Sequence, residues 1–216
     1  MRNTNTAKDH YIESTFALED KPLSNVVFTL RLDEAHMQIS PIEGKTLQTL
    51  IKMVGAKKIV EIGTLAGYSS IWMARALPEG GRLYAVEVDK TKETRILDNI
   101  KKCGVADKIE LIIGKALDIL PTLEQYGPFD AVFIDADKAG YVNYLEWAEQ
   151  NVRKGGLIIG DNTFLFGAVY GDNSRGMKPE VIEIMQEFNE RLANPAKYTS
   201  IILPTAEGMT VAVKNF

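Results

Sequence analysis

Five short apolar runs, at residues 58–62, 83–86, 109–113, 131–134 and 157–159, recur along the chain, and several are separated by stretches of helical spacing. Strands alternating with helices in this way predict βαβ units and a mostly parallel sheet with both faces covered. The residues that close the runs narrow the reading further. Glu61-Ile62-Gly63 ends the first, Glu87 the second, Asp135-Ala136-Asp137-Lys138 follows the fourth, and Asp161-Asn162 follows the fifth. In a parallel sheet these ends share one edge, the edge at which open α/β sheets bind ligands.

Between the strands, helices are expected over 68–77, stopped by Pro78-Glu79-Gly80-Gly81, and over 91–103, 141–152 and 179–192. Leu47, Leu50, Ile51 and Val54 fall at helical spacing and set a helix over 43–54, with Gly55 placed to end it. Two closing strands, 198–203 and 209–213, flank Pro204-Thr205-Ala206-Glu207-Gly208, a length that suits a hairpin. Residues 1–20 are polar with a weak helical pattern that breaks at Lys21-Pro22, which reads as an appendage.

A chain of 216 residues, 45% hydrophobic and 25% charged, is large enough for one compact domain with a full core. Its formal net charge of −4 supplies no basic field of the kind that drives sequence-independent nucleic-acid binding. One cysteine, Cys103, excludes an internal disulfide, and His10 and His36 are too few for a zinc site of the His/Cys type. The N-terminus has no apolar signal core, and no stretch approaches the ~18 apolar residues of a membrane span. A cytoplasmic protein with no membrane partner is the expectation.

Gly63 and Gly67 lie where a strand turns into a helix, so a backbone there can approach a ligand with no Cβ in the way. The spacing is G-x-x-x-G, which lacks the closely spaced glycines that cradle a pyrophosphate. Glu87, 24 positions after Gly63, ends the second strand near the separation at which an acid accepts hydrogen bonds from ribose hydroxyls. A ribose acid without a phosphate cradle suits an adenosine cofactor that has no pyrophosphate, and S-adenosylmethionine fits. Asp135, Asp161 and Asn162 offer three hard oxygen ligands from two strand ends, the chemistry of Mg²⁺ or Ca²⁺. A lone Asp in such a place is more often a helix cap or turn former, but two acids and a lysine within four residues weaken that reading. Beside a divalent cation, like charge disfavours the ammonium form of Lys138, which suits it to general-base work.

With these residues in order, the chain resembles the cation-dependent O-methyltransferases, the group of caffeoyl-CoA O-methyltransferase and, more distantly, catechol O-methyltransferase. The likeness runs through Met37-Gln38-Ile39-Ser40-Pro41 with Gly44, Glu61-Ile62-Gly63-Thr64 with Gly67-Tyr68-Ser69, Glu87, Gly114-Lys115-Ala116-Leu117, Asp135-Ala136-Asp137-Lys138 and Asp161-Asn162-Thr163. It implies an α/β, doubly wound, seven-stranded, mostly parallel sheet, the Rossmann-like class I methyltransferase fold, with an antiparallel C-terminal strand. A helical appendage over 1–36 would precede a methyltransferase domain over 37–216, and the assembly is usually a homodimer. Carried over, Asp135, Asp161 and Asn162 look like the metal ligands and Lys138 like the catalytic base. Glu87 looks like the ribose acid, and Gly63, Thr64 and Ser69 like contacts to the methionine end. Ile39, Glu61, Ala116, Asp135 and Asp137 complete the cofactor set, and Met37 and Tyr68 stand near the methyl group or the acceptor.

The implied reaction is transfer of the S-adenosylmethionine methyl to a hydroxyl of a small phenolic acceptor, catechol-like or caffeoyl-type. Mg²⁺ is the expected cation, with Ca²⁺ or Mn²⁺ as alternatives. A tRNA hydroxyuridine O-methyltransferase is the alternative that keeps the chemistry and changes the acceptor, and the acidic charge speaks against it. Phe164-Leu165-Phe166-Gly167 stands where relatives more usually carry Leu-Trp-x-Gly, a difference at the expected acceptor wall.

Overall fold

A computed structural model describes residues 6–216, so the first five residues of the expected appendage lie outside the described residues. In chain order the elements are α1 (Ala7–Thr15), α2 (Lys21–Ser24), a 3-10 turn (Asn25–Thr29), α3 (Pro41–Met53), β1 (Lys58–Ile62), α4 (Tyr68–Ala76), β2 (Arg82–Glu87), α5 (Glu93–Lys102) and β3 (Ile109–Ile113). They continue as α6 (Ala116–Leu123), β4 (Phe129–Ile134), α7 (Tyr141–Asn151), β5 (Val152–Asp161), α8 (Pro179–Leu192), β6 (Tyr198–Leu203) and β7 (Met209–Lys214). The strands form one seven-stranded sheet in the order β3-β2-β1-β4-β5-β7-β6. Order reverses between β1 and β4, the kind of switch point outside which open sheets bind ligands.

Two compact units partition the chain. The first holds the residues up to Lys57 together with Gly63–Lys115. Its β2 and β3 run parallel from Leu83 opposite Ile109 to Glu87 opposite Ile113, so Glu87 closes the ladder. Helix α3 starts two residues earlier than its apolar spacing predicts. Ser40 accepts from the Glu43 N–H, the Glu43 carboxylate accepts from the Ser40 N–H, and Pro41 takes the first turn, where no intrahelical N–H bond is needed. Leu47 and Ile51 of α3 and Ile71 and Met73 of α4 are fully buried. Gly44 lets the two helices approach at Trp72, because a Cβ there would lie 2.3 Å from the indole Cδ1.

The second unit holds Lys58–Ile62 and the residues from Ala116 onward. β1 pairs in parallel with β4, and β4 in parallel with β5. β7 lies between β5 and β6, antiparallel to both. This is the antiparallel C-terminal strand that the sequence led us to expect. Two differences from the sequence reading have local causes. Helix α6 went unpredicted because Pro121 reads as a breaker; it lies inside the helix, and Leu120 and Leu123 are buried. β5 begins at Val152, five residues before the expected start, because Arg153-Lys154-Gly155-Gly156 is carried as an irregularity in the ladder with Gly155 at φ +72°.

The Gly44 contact gives a direct test. Alanine is the better helix former by about 1 kcal/mol, but overpacking a well-filled interface costs about 1–3 kcal/mol. Gly44→Ala should therefore lower stability in a denaturant titration, and a variant as stable as wild type would show that the indole yields without strain.

Candidate active site

In the first unit, the turn from Gly63 to Gly67 carries three left-handed residues, Gly63 at φ +92°, Leu65 at +55° and Gly67 at +85°. Glycine suits this conformation and leucine does not, so the turn needs support at Leu65. Glu87, only 4% exposed, supplies it. One carboxylate oxygen accepts from the Leu65 N–H at 2.9 Å and the Thr64 N–H at 3.4 Å, and the other from the Asp89 N–H at 2.9 Å and Lys92 Nζ at 3.5 Å. Thr64, within this turn, and Ser69, the second residue of α4, are buried. Arg95 and Asn99, neither singled out in the sequence, reach the same turn from α5: Arg95 donates to the Leu65 carbonyl at 3.2 Å and Asn99 to the Ala66 carbonyl at 3.0 Å.

Tyr68 is buried, and its hydroxyl donates to Glu19 at 2.8 Å. Burial, then the nearby Glu19 charge, raises the Tyr68 phenol above its ordinary range. Burial likewise raises the Glu19 carboxyl. Arg75 of α4 pairs with Asp20 at 2.8 Å, so two adjacent acids of the expected appendage bond this helix. Ile39 is buried just before the Ser40 cap, whereas Met37 is 49% exposed.

In the second unit, Ile134 faces Gly160 in the parallel ladder, so Asp135 and Asp161 follow side by side at the next position. Asp161 is fully buried and Asn162, at φ +57°, is nearly so. Lys138 Nζ lies 3.6 Å from the Asp135 carboxylate and donates to the Asp161 carbonyl at 3.3 Å. It also donates to the hydroxyl of Tyr141. That fully buried hydroxyl lies 2.7 Å from the Asp161 carbonyl and 3.0 Å from the Ile134 carbonyl, so its one proton serves the ends of both strands. Asp137 accepts from Tyr144 at 2.6 Å, and burial followed by this bond raises the Tyr144 phenol. Gly140 makes room for that ring, since a Cβ there would meet Tyr144 Cζ at 2.4 Å. Glu61 is fully buried in β1 opposite Phe133, and Ala116 opens α6.

The donor set in the second unit is all oxygen: two carboxylates that follow each other across a ladder, and an adjacent amide. That set matches a hard divalent cation and offers nothing to a soft one. No group of three or more His, Cys, Asp or Glu able to hold a metal occurs among the described residues; Asp135 and Asp161 are two such members, and Asn162 adds an amide oxygen rather than a third acid. The residues fit a cation whose remaining positions are filled by water or acceptor oxygens. Among the described residues no helix is long and apolar enough to cross a membrane.

Comparison with known proteins identifies the family. A catechol O-methyltransferase of Niastella koreensis is 41% identical over 215 residues, covering 95% of each chain. Caffeoyl-CoA O-methyltransferase 2 of Zea mays is 39% identical over 183 residues, covering 81% of this chain and 69% of its own. Among solved structures, the O-methyltransferase TomG of Streptomyces achromogenes, in complex with SAM, superposes with a TM-score of 0.88 at 35% identity, covering 98% of this chain and 97% of its own. The O-methyltransferase family model matches residues 13–215, and the chain belongs to that family of enzymes.

Proposed function

We propose that the protein transfers the methyl group of S-adenosylmethionine to a hydroxyl of a catechol-like or caffeoyl-type aromatic, with a divalent cation held by Asp135, Asp161 and Asn162. The observation that carries the reading is the placement of Lys138, whose Nζ lies 3.6 Å from the Asp135 carboxylate and is fixed from behind by the Tyr141 hydroxyl. The catechol and caffeoyl-CoA relatives support the acceptor class, and the SAM complex of TomG supports the donor. The sulfonium supplies an activated methyl, and the cation, Mg²⁺ or alternatively Ca²⁺ or Mn²⁺, supplies charge stabilisation and a template for two vicinal oxygens. Residues 1–36 are read as a helical appendage to a methyltransferase domain over 37–216, and the working assembly as a cytoplasmic homodimer.

The chain's own residues divide the remaining work. Glu87 holds two backbone N–H groups at 2.9 Å and two further donors at 3.4 and 3.5 Å, and ribose hydroxyls would replace the longer pair. Gly63, Thr64 and Ser69 would bind the methionine end, with Ile39, Glu61, Ala116, Asp135 and Asp137 as further cofactor contacts and Met37 and Tyr68 near the methyl group or the acceptor. Lys138, in its neutral form, would accept the acceptor hydroxyl's proton at Nζ. Tyr141, by holding Nζ, fixes the direction from which that proton is taken.

Each part has its own measurement. Glu87→Ala should weaken S-adenosylmethionine binding by about 1.5–3 kcal/mol, the size of a charge-assisted hydrogen bond, and change acceptor affinity less. An unchanged donor Kd would reduce Glu87 to a brace for the turn.

Chelation should abolish turnover of a catechol, and added Mg²⁺ or Mn²⁺ should restore it. Full turnover after exhaustive chelation would remove the cation from the mechanism.

Lys138→Ala should lower kcat by about 10²–10⁴, far more than it weakens donor binding. Arginine should not rescue it, because a guanidinium stays protonated through the working range. Near wild-type kcat in the alanine variant would leave Lys138 only a positioning role.

A further inference from the structure

Arg95 joins two stretches of the first unit that lie far apart in sequence. One is the segment that leads into Met37 and Ile39. Arg95 Nη1 donates to the Glu34 carboxylate at 2.6 Å and the Thr29 carbonyl at 3.2 Å, and Nη2 donates to the other Glu34 oxygen at 3.1 Å. The second stretch is the glycine turn, where Nη2 also donates to the Leu65 carbonyl at 3.2 Å. Asn99, one helical turn further along α5, repeats the pattern with one amide nitrogen, donating to Thr29 Oγ1 and the Ala66 carbonyl, each at 3.0 Å.

Leu65 is where this matters. Its left-handed backbone is disfavoured for a branched side chain, and its peptide groups are gripped on both sides, the N–H by Glu87 and the carbonyl by Arg95. Glu34 is itself fixed, accepting from the Arg31 N–H at 3.0 Å, and only 9% of its side chain is exposed against 17% for Arg95. A bidentate, mostly covered pair of this kind holds geometry far better than a surface ion pair does. The bond to Arg95 also keeps the Glu34 carboxyl below its ordinary range, so it stays charged at neutral pH.

We infer that Arg95 is a positioning residue for the methyl donor: one guanidinium fixes the distance between the segment bearing Met37 and Ile39 and the Gly63–Ser69 turn. The inference rests on the cofactor reading proposed for that turn. A simple staple for the N-terminal segment would make the same contacts but would act on stability alone.

Calorimetric titration with S-adenosylhomocysteine separates the two, using wild type, Arg95→Ala, Arg95→Lys, Glu34→Gln and the Arg95→Ala/Glu34→Gln pair, each with its Tm. Positioning predicts that Arg95→Ala raises the Kd about 10-fold, the equivalent of 1.4 kcal/mol. Arg95→Lys should do nearly the same, because a single ammonium cannot span the acceptors that the planar fork reaches. Glu34→Gln, which keeps the shape, should give a smaller rise of about 3-fold, and the double variant should be no weaker than Arg95→Ala, since the two act as one unit. With donor saturating, kcat should stay within about twofold while the donor KM rises.

Lowered Tm with an unchanged Kd in the variants would overturn the positioning role and leave the staple. If Arg95→Ala does not fold, Glu34→Gln decides in the same way. No binding by wild type would overturn the cofactor reading and this inference together, whereas binding by wild type and every variant alike overturns this inference alone.

Discussion

Ile134 faces Gly160 across a parallel ladder, so the next residues, Asp135 just past the end of β4 and Asp161 at the last position of β5, follow side by side. Two carboxylates brought together in this way repel, and each strand also ends in a carbonyl that needs a donor in a buried setting. Tyr141 and Lys138 answer both needs. The phenol reaches the Ile134 and Asp161 carbonyls, and the ammonium lies against the phenol, the Asp161 carbonyl and the Asp135 carboxylate. A lysine and a tyrosine three residues apart thus bond the ends of both strands, apart from any chemistry asked of them. Lys138 then stands close to the carboxylate that it would serve beside during catalysis.

How much of this could be read beforehand follows from the range of each interaction. The parallel strands, the acidic strand ends and the turn glycines are local patterns, and they are present where the spacing put them. The early start of α3 was also legible, since Ser40-Pro41-Ile42-Glu43 is a capping box with proline in the first turn. Helix α6 was obscured by Pro121, and the first half of β5 by a polar, glycine-containing stretch that breaks alternation. Partners distant in sequence left no signal. Arg95 and Asn99 share one face of α5, but nothing in their spacing names Glu34, Thr29 or Leu65 as what they touch. The link from Glu19 to Tyr68 spans 49 positions and is equally silent in a single sequence.

The stretch that begins at Asn162 is where the second unit gathers its non-glycine residues of left-handed backbone. Asn162, Leu165 and Phe166 all have positive φ, at +57°, +47° and +55°. Asparagine tolerates this backbone, but Leu165 and Phe166 cost about 1–3 kcal/mol each and persist only where surrounding contacts hold them. Those contacts are visible. The Thr163 and Phe164 N–H groups donate to the Gly208 and Glu207 carbonyls, and Phe164 meets Tyr170 edge to face at 5.7 Å. The Arg175 guanidinium lies 4.0 Å from the centre of the Phe166 ring. Gly208 completes the packing, because a Cβ there would sit 2.7 Å from the Phe164 ring. An aromatic pair and a stacked cation thus hold this stretch, and the sheet's β6–β7 connection supports its backbone.

The place of β7 in the sheet bears on how the chain matures. It is later in sequence than both of its neighbours, yet it lies between them. Until it is synthesised, β5 has no partner on that side and β6 has no partner on its β7 side, and Leu157-Ile158-Ile159 offers an apolar open edge. Translation proceeds at about 5–20 residues per second, so the interval from β5 to β7 leaves that edge uncovered for several seconds on the ribosome. The strand that comes last in the sequence therefore closes the sheet of the second unit, and the β5 edge stays open to other pairing until it is in place.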